Sequence, residues 1–239
     1  MSSPTHPLLE PHEFVEWLRR EGSQRYHDEH PVHTRMHEGK LDREGLQCWV
    51  LNRFYYQTRI PIKDALILAK SEDSAFRRAW IHRIHDHDGD GAGDPGGLEQ
   101  WLRLAEGVGL DRERVASCRD VLPGVRFACD GYVTLVEKSP LVVAVASSLT
   151  EFFAPDLMSK RISAWERHYP WVDQESLGYF RVRVERARRD SEEAIGFVVR
   201  EAKTYDLQQA CVQALIRKTE ILWHLLDCVQ ARLDSGPVT

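Results

Sequence analysis

Cysteine is scarce in this chain, and none of it stands at metal or redox spacing. The five cysteines (Cys48, Cys118, Cys129, Cys211, Cys228) are odd in number, scattered and free of any CxxC. That excludes a disulfide framework or a thiolate zinc site and fits free thiols in a reducing cytoplasm. A basic surplus is also missing. Lys and Arg number 32 against 37 Asp and Glu, for a net charge of −5 and a pI near 6.1. This argues against general nucleic-acid binding, which favours basic stripes. Long apolar runs are absent too: LVVAVA at 141–146 falls far short of the ~20 residues of a membrane span. The start, MSSPTHPLLEPHEF, has no basic segment followed by an apolar one, so no signal peptide is expected. Alternating strand patterns are nearly absent. A soluble cytoplasmic protein without membrane or nucleic-acid partners is the expectation.

What the chain does have is helical periodicity, over 239 residues, enough for one large domain with a sizeable core. The pattern predicts helices over about Pro11–Glu21 and from an Asp42 cap to Arg59, ended by Pro61. Further helices are predicted over Ile62–Lys70, Ser74–His87, Gly97–Val108, Asp111–Arg119 and Pro123–Lys138. A serine cap at Ser139 with Pro140 at the first helical position opens a nearly all-apolar helix to Phe153, expected to be central and to stop before Pro155. Two long helices, Glu175–Ala202 and Leu207–Arg232, complete the set. The run GDGAGDPGG at 89–97 is a loop, because glycines and Pro95 cannot hold a regular element. The expectation is one all-α domain over 1–239, a helical bundle of about seven main helices, with 1–10 and 234–239 as loose tails.

The densest chemical signal is HRIHDHDGD at 82–90, three histidines and three aspartates in nine positions. At 100° per residue, Phe76, Trp80, Ile81 and Ile84 form an apolar arc with Arg83 and His87 on its edge. His82, His85 and Asp86 fall on the solvent side. A metal site would need His82, Asp86 and His87 to converge, which a regular helix prevents. The cluster therefore reads as a solvated face, with Arg83 and His87 as the inward pair.

Charges also sit on other apolar stripes. The stripe Leu46, Trp49, Val50, Arg53, Tyr56, Gln57, Ile60 carries three polar groups inward. The stripe Cys211, Ala214, Leu215, Lys218, Leu222, Leu225, Val229 carries Lys218 at its centre, and Glu151 shares a face with Ala144, Ser147 and Ser148. Any one such charge can snorkel to water. Several on separate helices cannot be dismissed together, because a buried unpaired charge costs several kcal/mol. Arg53, Arg83 and Lys218 against Glu151 leave a positive surplus, suited to an anionic small molecule in a helix-lined pocket.

The strings NRFYYQTRIPIKDA, DHDGDGAGDPGGLEQWLRLAEGVGL, VLPGVRFACDGY, SSLTEFFAP, HYPW, YFRVR and KTEILWHLLD closely resemble the pyrroloquinoline-quinone (PQQ) synthase family, from about Phe14 to Leu233. The resemblance implies a haem-oxygenase-like helical fold and a homodimer. It implies a cofactorless oxidase, with no metal, that closes a ring and oxidises a bicyclic polycarboxylate quinone precursor with O₂, giving PQQ and hydrogen peroxide. It also implies substrate contacts at Tyr26, His27, Arg53, Tyr56, Gln57, Arg83, Tyr132, Glu151, Arg161 and Lys218, with His87, Tyr179 and Arg183 catalytic. His87 is the expected base, since an unperturbed histidine titrates at about 6.5.

The chain departs from the family at Met158, where well-known members carry histidine, and in a shorter C-terminal extension. Methionine cannot shuttle a proton, so either that histidine is dispensable or an oxidation step is altered. Three rivals stand beside the synthase reading. They are a metal-dependent phosphohydrolase on the His/Asp cluster, a thiaminase-II-like hydrolase with a cysteine nucleophile, and a non-catalytic PQQ or precursor binder.

Overall fold

The protein is described from a computed structural model covering residues 7–236, among which helices succeed one another and no strand forms. Along the chain run α1 (Pro11–Ser23), α2 (Pro31–His37), α3 (Arg43–Ala69), α4 (Ser74–Trp80), α5 (His82–Asp88), α6 (Gly96–Gly107) and α7 (Arg112–Ala116). They are followed by α8 (Pro123–Lys138), α9 (Leu141–Ala146), α10 (Ala154–His168), α11 (Gly178–Glu201) and α12 (Tyr205–Asp234). Seven of these (α1, α3, α6, α8, α10, α11, α12) have 12 residues or more, which agrees in number with the about seven main helices expected, although α10 is not among the predicted elements.

Local chemistry sets many of the ends. Asp42 Oδ1 accepts from the Gly45 N–H at 2.8 Å, Asp111 from Arg114 at 2.7 Å and Thr204 Oγ1 from Leu207 at 3.2 Å, each satisfying a donor left over at a helix start. The expected 89–97 loop forms over 89–95, with Gly96 and Gly97 already opening α6: Asp90 Oδ1 accepts the N–H groups of Ala92, Gly93 and Asp94. Gly89 and Gly96 take φ of 90° and 79° there, where a side chain is strained. The long α3 packs against α5, α6, α8 and α12, while α10 lies along α11. Trp49, Trp101, Trp165 and Phe180 meet between them with ring centres 5.5–6.4 Å apart. Trp101 donates to the Val50 carbonyl at 3.0 Å.

Several expected boundaries are corrected. Pro61 does not end a helix: α3 runs through it for 27 residues. Proline offers no N–H to the Gln57 carbonyl and costs about 3 kcal/mol in a helix interior, but Ile60, Pro61, Lys63, Asp64 and Ile67 are all buried on both sides of it. Ser139 caps the end of α8, donating to the Leu135 carbonyl at 2.6 Å, and does not start the next helix. The expected apolar helix is six α-helical residues, then a 3₁₀ stretch over Ser147–Phe153 that passes directly into α10. The stretch Leu141–His168 is long and apolar enough to cross a membrane, yet two thirds (67%) of its apolar window is buried inside the bundle. It is a core element here. The segment 74–87 breaks at Ile81, which is 36% exposed rather than part of an apolar arc. The short α2, and the 3₁₀ turn His27–Glu29 before it, had no periodic signal. Leu9 and Gln208 exchange two 3.0 Å hydrogen bonds and Asp234 still belongs to α12. Residues 1–6 and 237–239 of the expected tails lie outside the described residues.

Candidate active site

A cavity with an interior volume of about 70 Å³ opens beside the middle of α3. From α3 come Arg53, Tyr56, Gln57, Ile60 and Lys63, one per turn or so along a single face. Tyr26 and His27 enter from the turn before α2, His87 from α5, Tyr132 from α8 and Leu222 from α12. Ser148, Thr150 and Glu151 come from the 3₁₀ stretch, Met158 from α10, and Tyr179 and Arg183 from α11. Ten of the expected site residues are brought together in this way: Tyr26, His27, Arg53, Tyr56, Gln57, His87, Tyr132, Glu151, Tyr179 and Arg183. Arg83, Arg161 and Lys218 are not among the lining residues and sit one layer behind.

His87 is 5% exposed, and its Nδ1 donates to the Arg83 carbonyl at 3.1 Å. A backbone carbonyl can only accept, so the proton sits on Nδ1 and Nε2 keeps its lone pair. Burial, assisted by the charge of Arg183, pushes the imidazole down to about 4. This corrects the expectation of an ordinary histidine near neutrality: the group is a neutral base throughout the physiological range. Tyr179 donates to Gln57 Oε1 at 2.8 Å, and burial raises its phenol above the usual value.

The cations fall into two sets. Arg83 and Arg183 are neutralised: Arg83 Nη1 donates to Glu151 Oε2 at 2.8 Å, Arg183 Nη2 to Glu151 Oε1 at 3.0 Å and Arg183 Nη1 to Asp190 Oδ2 at 2.9 Å. Lys63 is likewise matched, 2.7 Å from Asp64 and donating to Ser148 Oγ at 2.9 Å. Arg53, Arg161 and Lys218 have no carboxylate partner among the described residues. The Arg53 guanidinium stacks 3.9 Å from the Tyr56 ring centre. Arg161 lies over Trp49 and Phe180, donating to His33 Nε2 at 3.1 Å and reaching Met158 Sδ at 3.9 Å. Burial and the charge of Arg53 push it down to about 9, still protonated at neutral pH. Lys218 Nζ has no hydrogen bond, and burial, then Arg53, drive its amine well below the ordinary value. The positive surplus expected from the sequence is present, but it rests on Arg53, Arg161 and Lys218, with Arg83 cancelled.

The His/Asp cluster is reorganised. Asp86 is buried at 9% exposure, not solvent-facing, and pairs with Arg186 and Arg189. Ligand atoms of His82, Asp86 and Asp190 lie within 4.8 Å of one another, a convergence the helix alone could not supply because Asp190 comes from α11. Both carboxylates are already taken by guanidiniums, since Arg189 bridges them and Arg183 holds Asp190. The trio is an ion-pair hub. His85 is exposed, as expected.

Sequence reasoning missed Lys63, Ser148, Thr150 and Asp190. Lys63 was findable: it stands seven residues after Tyr56 and continues the Arg53–Tyr56–Gln57–Ile60 stripe, hidden only by the assumed break at Pro61. Asp190 gave no signal, lying in the charged run RVERARRDSEE.

The all-helical bundle around this basic, aromatic-walled cavity has a haem-oxygenase-like fold. A domain with a heme oxygenase-like fold from Shewanella denitrificans superposes with a TM-score of 0.75 over 97% of both chains at 15% identity. A TenA homolog from Pseudomonas syringae gives 0.74 over 96% of this chain and 99% of its own. The chain belongs to the TENA/THI-4/PQQC family, whose model matches residues 17–228. Within that family it is 49% identical to the pyrroloquinoline-quinone synthase of Ectopseudomonas mendocina, over 92% of this chain and 88% of the relative. It is 45% identical to the synthase of Gluconobacter oxydans, over 97% and 96%.

Proposed function

We propose that this protein is a PQQ synthase: an oxidase that binds the bicyclic polycarboxylate quinone precursor, closes its last ring and oxidises it with O₂, releasing hydrogen peroxide. The observation that carries the reading is a set of basic groups without carboxylate partners, Arg53 in the cavity wall with Arg161 and Lys218 behind it, beside a neutral His87. A polycarboxylate supplies the anions these groups lack, and guanidinium–carboxylate pairs are strong and directional. Holding amine and ring carbon in contact can contribute about 7–11 kcal/mol in ideal cases. His87 Nε2 is the base that takes protons as the ring is oxidised. Tyr179 and Arg183 border the place where O₂ is reduced, and the arginine charge stabilises reduced oxygen and anionic quinol. The substrate is the electron reservoir, and no metal or organic cofactor takes part.

Identity near half over nearly the full length of named synthases supports this reading over a non-catalytic binder. The five free cysteines suit a cytoplasmic setting, and Phe127, 79% exposed, is an apolar group that a second copy in a homodimer would cover. Anaerobic mixing with the precursor, followed by air, tests the function with absorbance, oxygen uptake and peroxide recorded together. Spectral change on binding, then oxygen consumption with peroxide release and no sensitivity to EDTA, is expected. Tight binding without oxygen uptake would make the protein a carrier.

A further inference from the structure

We propose that Asp190 is a positioning residue for the oxidation, fixing where the Arg183 guanidinium stands at the edge of the cavity; this rests on the synthase reading above. Asp190 is 1% exposed and does not line the cavity. It lies seven residues after Arg183 on α11, two turns along the same face. Its Oδ2 takes Arg183 Nη1 at 2.9 Å, while Arg183 Nη2 goes to Glu151 Oε1 at 3.0 Å. The guanidinium is thus held at two nitrogens by two carboxylates that approach from different helical segments.

Arg83 closes the arrangement. Its Nη1 donates to Glu151 Oε2 at 2.8 Å and its Nη2 to the Asp190 backbone carbonyl. Two guanidiniums and two carboxylates form a ring of zero formal charge beside His87. From the far side, His82 Nε2 at 3.1 Å and Arg189 Nη2 at 2.9 Å hold Asp190 Oδ1. Gripped on both oxygens, the carboxylate cannot turn to follow a moving arginine. Losing its charge would leave Arg83 and Arg183 sharing Glu151 alone, with an unmatched guanidinium free to swing toward His87 and Tyr179.

The carboxylate-free cations Arg53, Arg161 and Lys218 make no contact with Asp190. Substrate capture and oxidation are therefore separable at this residue. A merely structural buried aspartate would lower both in proportion to the folded fraction.

The test uses Asp190→Glu, which keeps the charge and displaces the carboxylate by one methylene, together with Asp190→Asn. Melting, anaerobic precursor binding and the oxidation rate on admitting air are measured beside the unaltered protein. The positioning role requires Asp190→Glu to melt near the parent, bind within threefold and oxidise at least tenfold more slowly, with Asp190→Asn slower still where it folds. A crystal structure of Asp190→Glu should show Arg183 displaced from its position against Glu151. Oxidation within twofold of the parent, or an unmoved Arg183, overturns the proposal. If the unaltered protein consumes no oxygen, the synthase reading fails by itself, and the crystal structure still decides whether Asp190 places Arg183.

Discussion

Lys218 holds its Nζ 3.3 Å from the centre of the Tyr132 ring and 4.2 Å from that of Tyr56, with no hydrogen-bond acceptor. Ring faces attract a cation, but they replace only part of the water it has lost. An amine in this position is destabilising in the empty protein and useful only once an anion arrives. Lys218→Met should therefore raise stability by about 1 kcal/mol or more, as replacing buried charge by apolar volume often does, while weakening precursor binding at least tenfold. Thermal melts and anaerobic titration measure both. A variant that melts lower and binds normally would contradict the assignment.

The tautomer of His87 makes a prediction about pH. Since burial holds the ring at about 4, Nε2 stays unprotonated from neutrality down to mildly acid solution. The single-turnover oxidation rate of folded protein should be flat from pH 8 to about 5 and fall only below that, rather than near the ordinary 6.5. His87→Gln, which keeps a polar side chain without the base, should bind precursor and slow oxidation by roughly 10²–10⁴-fold. An acid limb at 6.5, or a variant with the parent's rate, would remove His87 from the role of base.

Buried histidines also set the acid stability. Burial lowers His27, His33 and His87, the last to about 4, and lowers His30 and His37 as well. Between about 6.5 and 4 the unfolded chain binds protons that the folded chain refuses. Stability is therefore complete above pH 6.5 and is lost as pH falls, by up to about 1.4 kcal/mol per pH unit for each fully buried histidine. Asp190, held well below the carboxylate range by Arg83, His82 and Arg183 against its burial cost, loses its contribution only in much stronger acid. Urea denaturation between pH 7.5 and 5 should show more than one proton taken up on unfolding. His37→Gln, which removes a ring with both nitrogens unpartnered, should flatten the dependence.

Met158 lines the cavity and touches Arg161 through its sulfur at 3.9 Å. A thioether neither donates nor carries a proton, and its contribution is volume. Met158→Leu, a near volume-conserving exchange, should keep every oxidation phase within about threefold, and Met158→His should add no faster phase. Stopped-flow spectra under air give both answers. A new or accelerated phase in Met158→His would mean that the chain lacks a proton-handling group its relatives use.

How much of this was legible in the residues differs between fold and site. Periodicity gives most of the helices, α10 excepted, because it is local, and so are the caps: Asp42, Asp111 and Thr204 satisfy backbone groups within three residues of themselves, though of these only Asp42 is recognised as a cap from the sequence. The inward stripe of α3 places Arg53, Tyr56 and Gln57 at the cavity for the same reason. Pro61 misled because its cost is local while the compensation, burial of the flanking residues against other helices, is not. With that break assumed, Lys63 dropped out of a stripe it visibly continues.

Charge pairing was beyond the sequence altogether. Helical faces determine that cations point inward, and the surplus is the basis for proposing an anionic occupant. Which cations remain free is a tertiary fact: Glu151, from the 3₁₀ stretch, binds both Arg83 and Arg183, and Asp190 completes the match, whereas Arg53, Arg161 and Lys218 find aromatic faces, a neutral histidine or a thioether but no carboxylate among the described residues. A side chain's direction is fixed by its own helix, but whether it meets a carboxylate, and hence its effective charge, depends largely on the segments packed around it, as Arg83 and Arg183 meet Glu151.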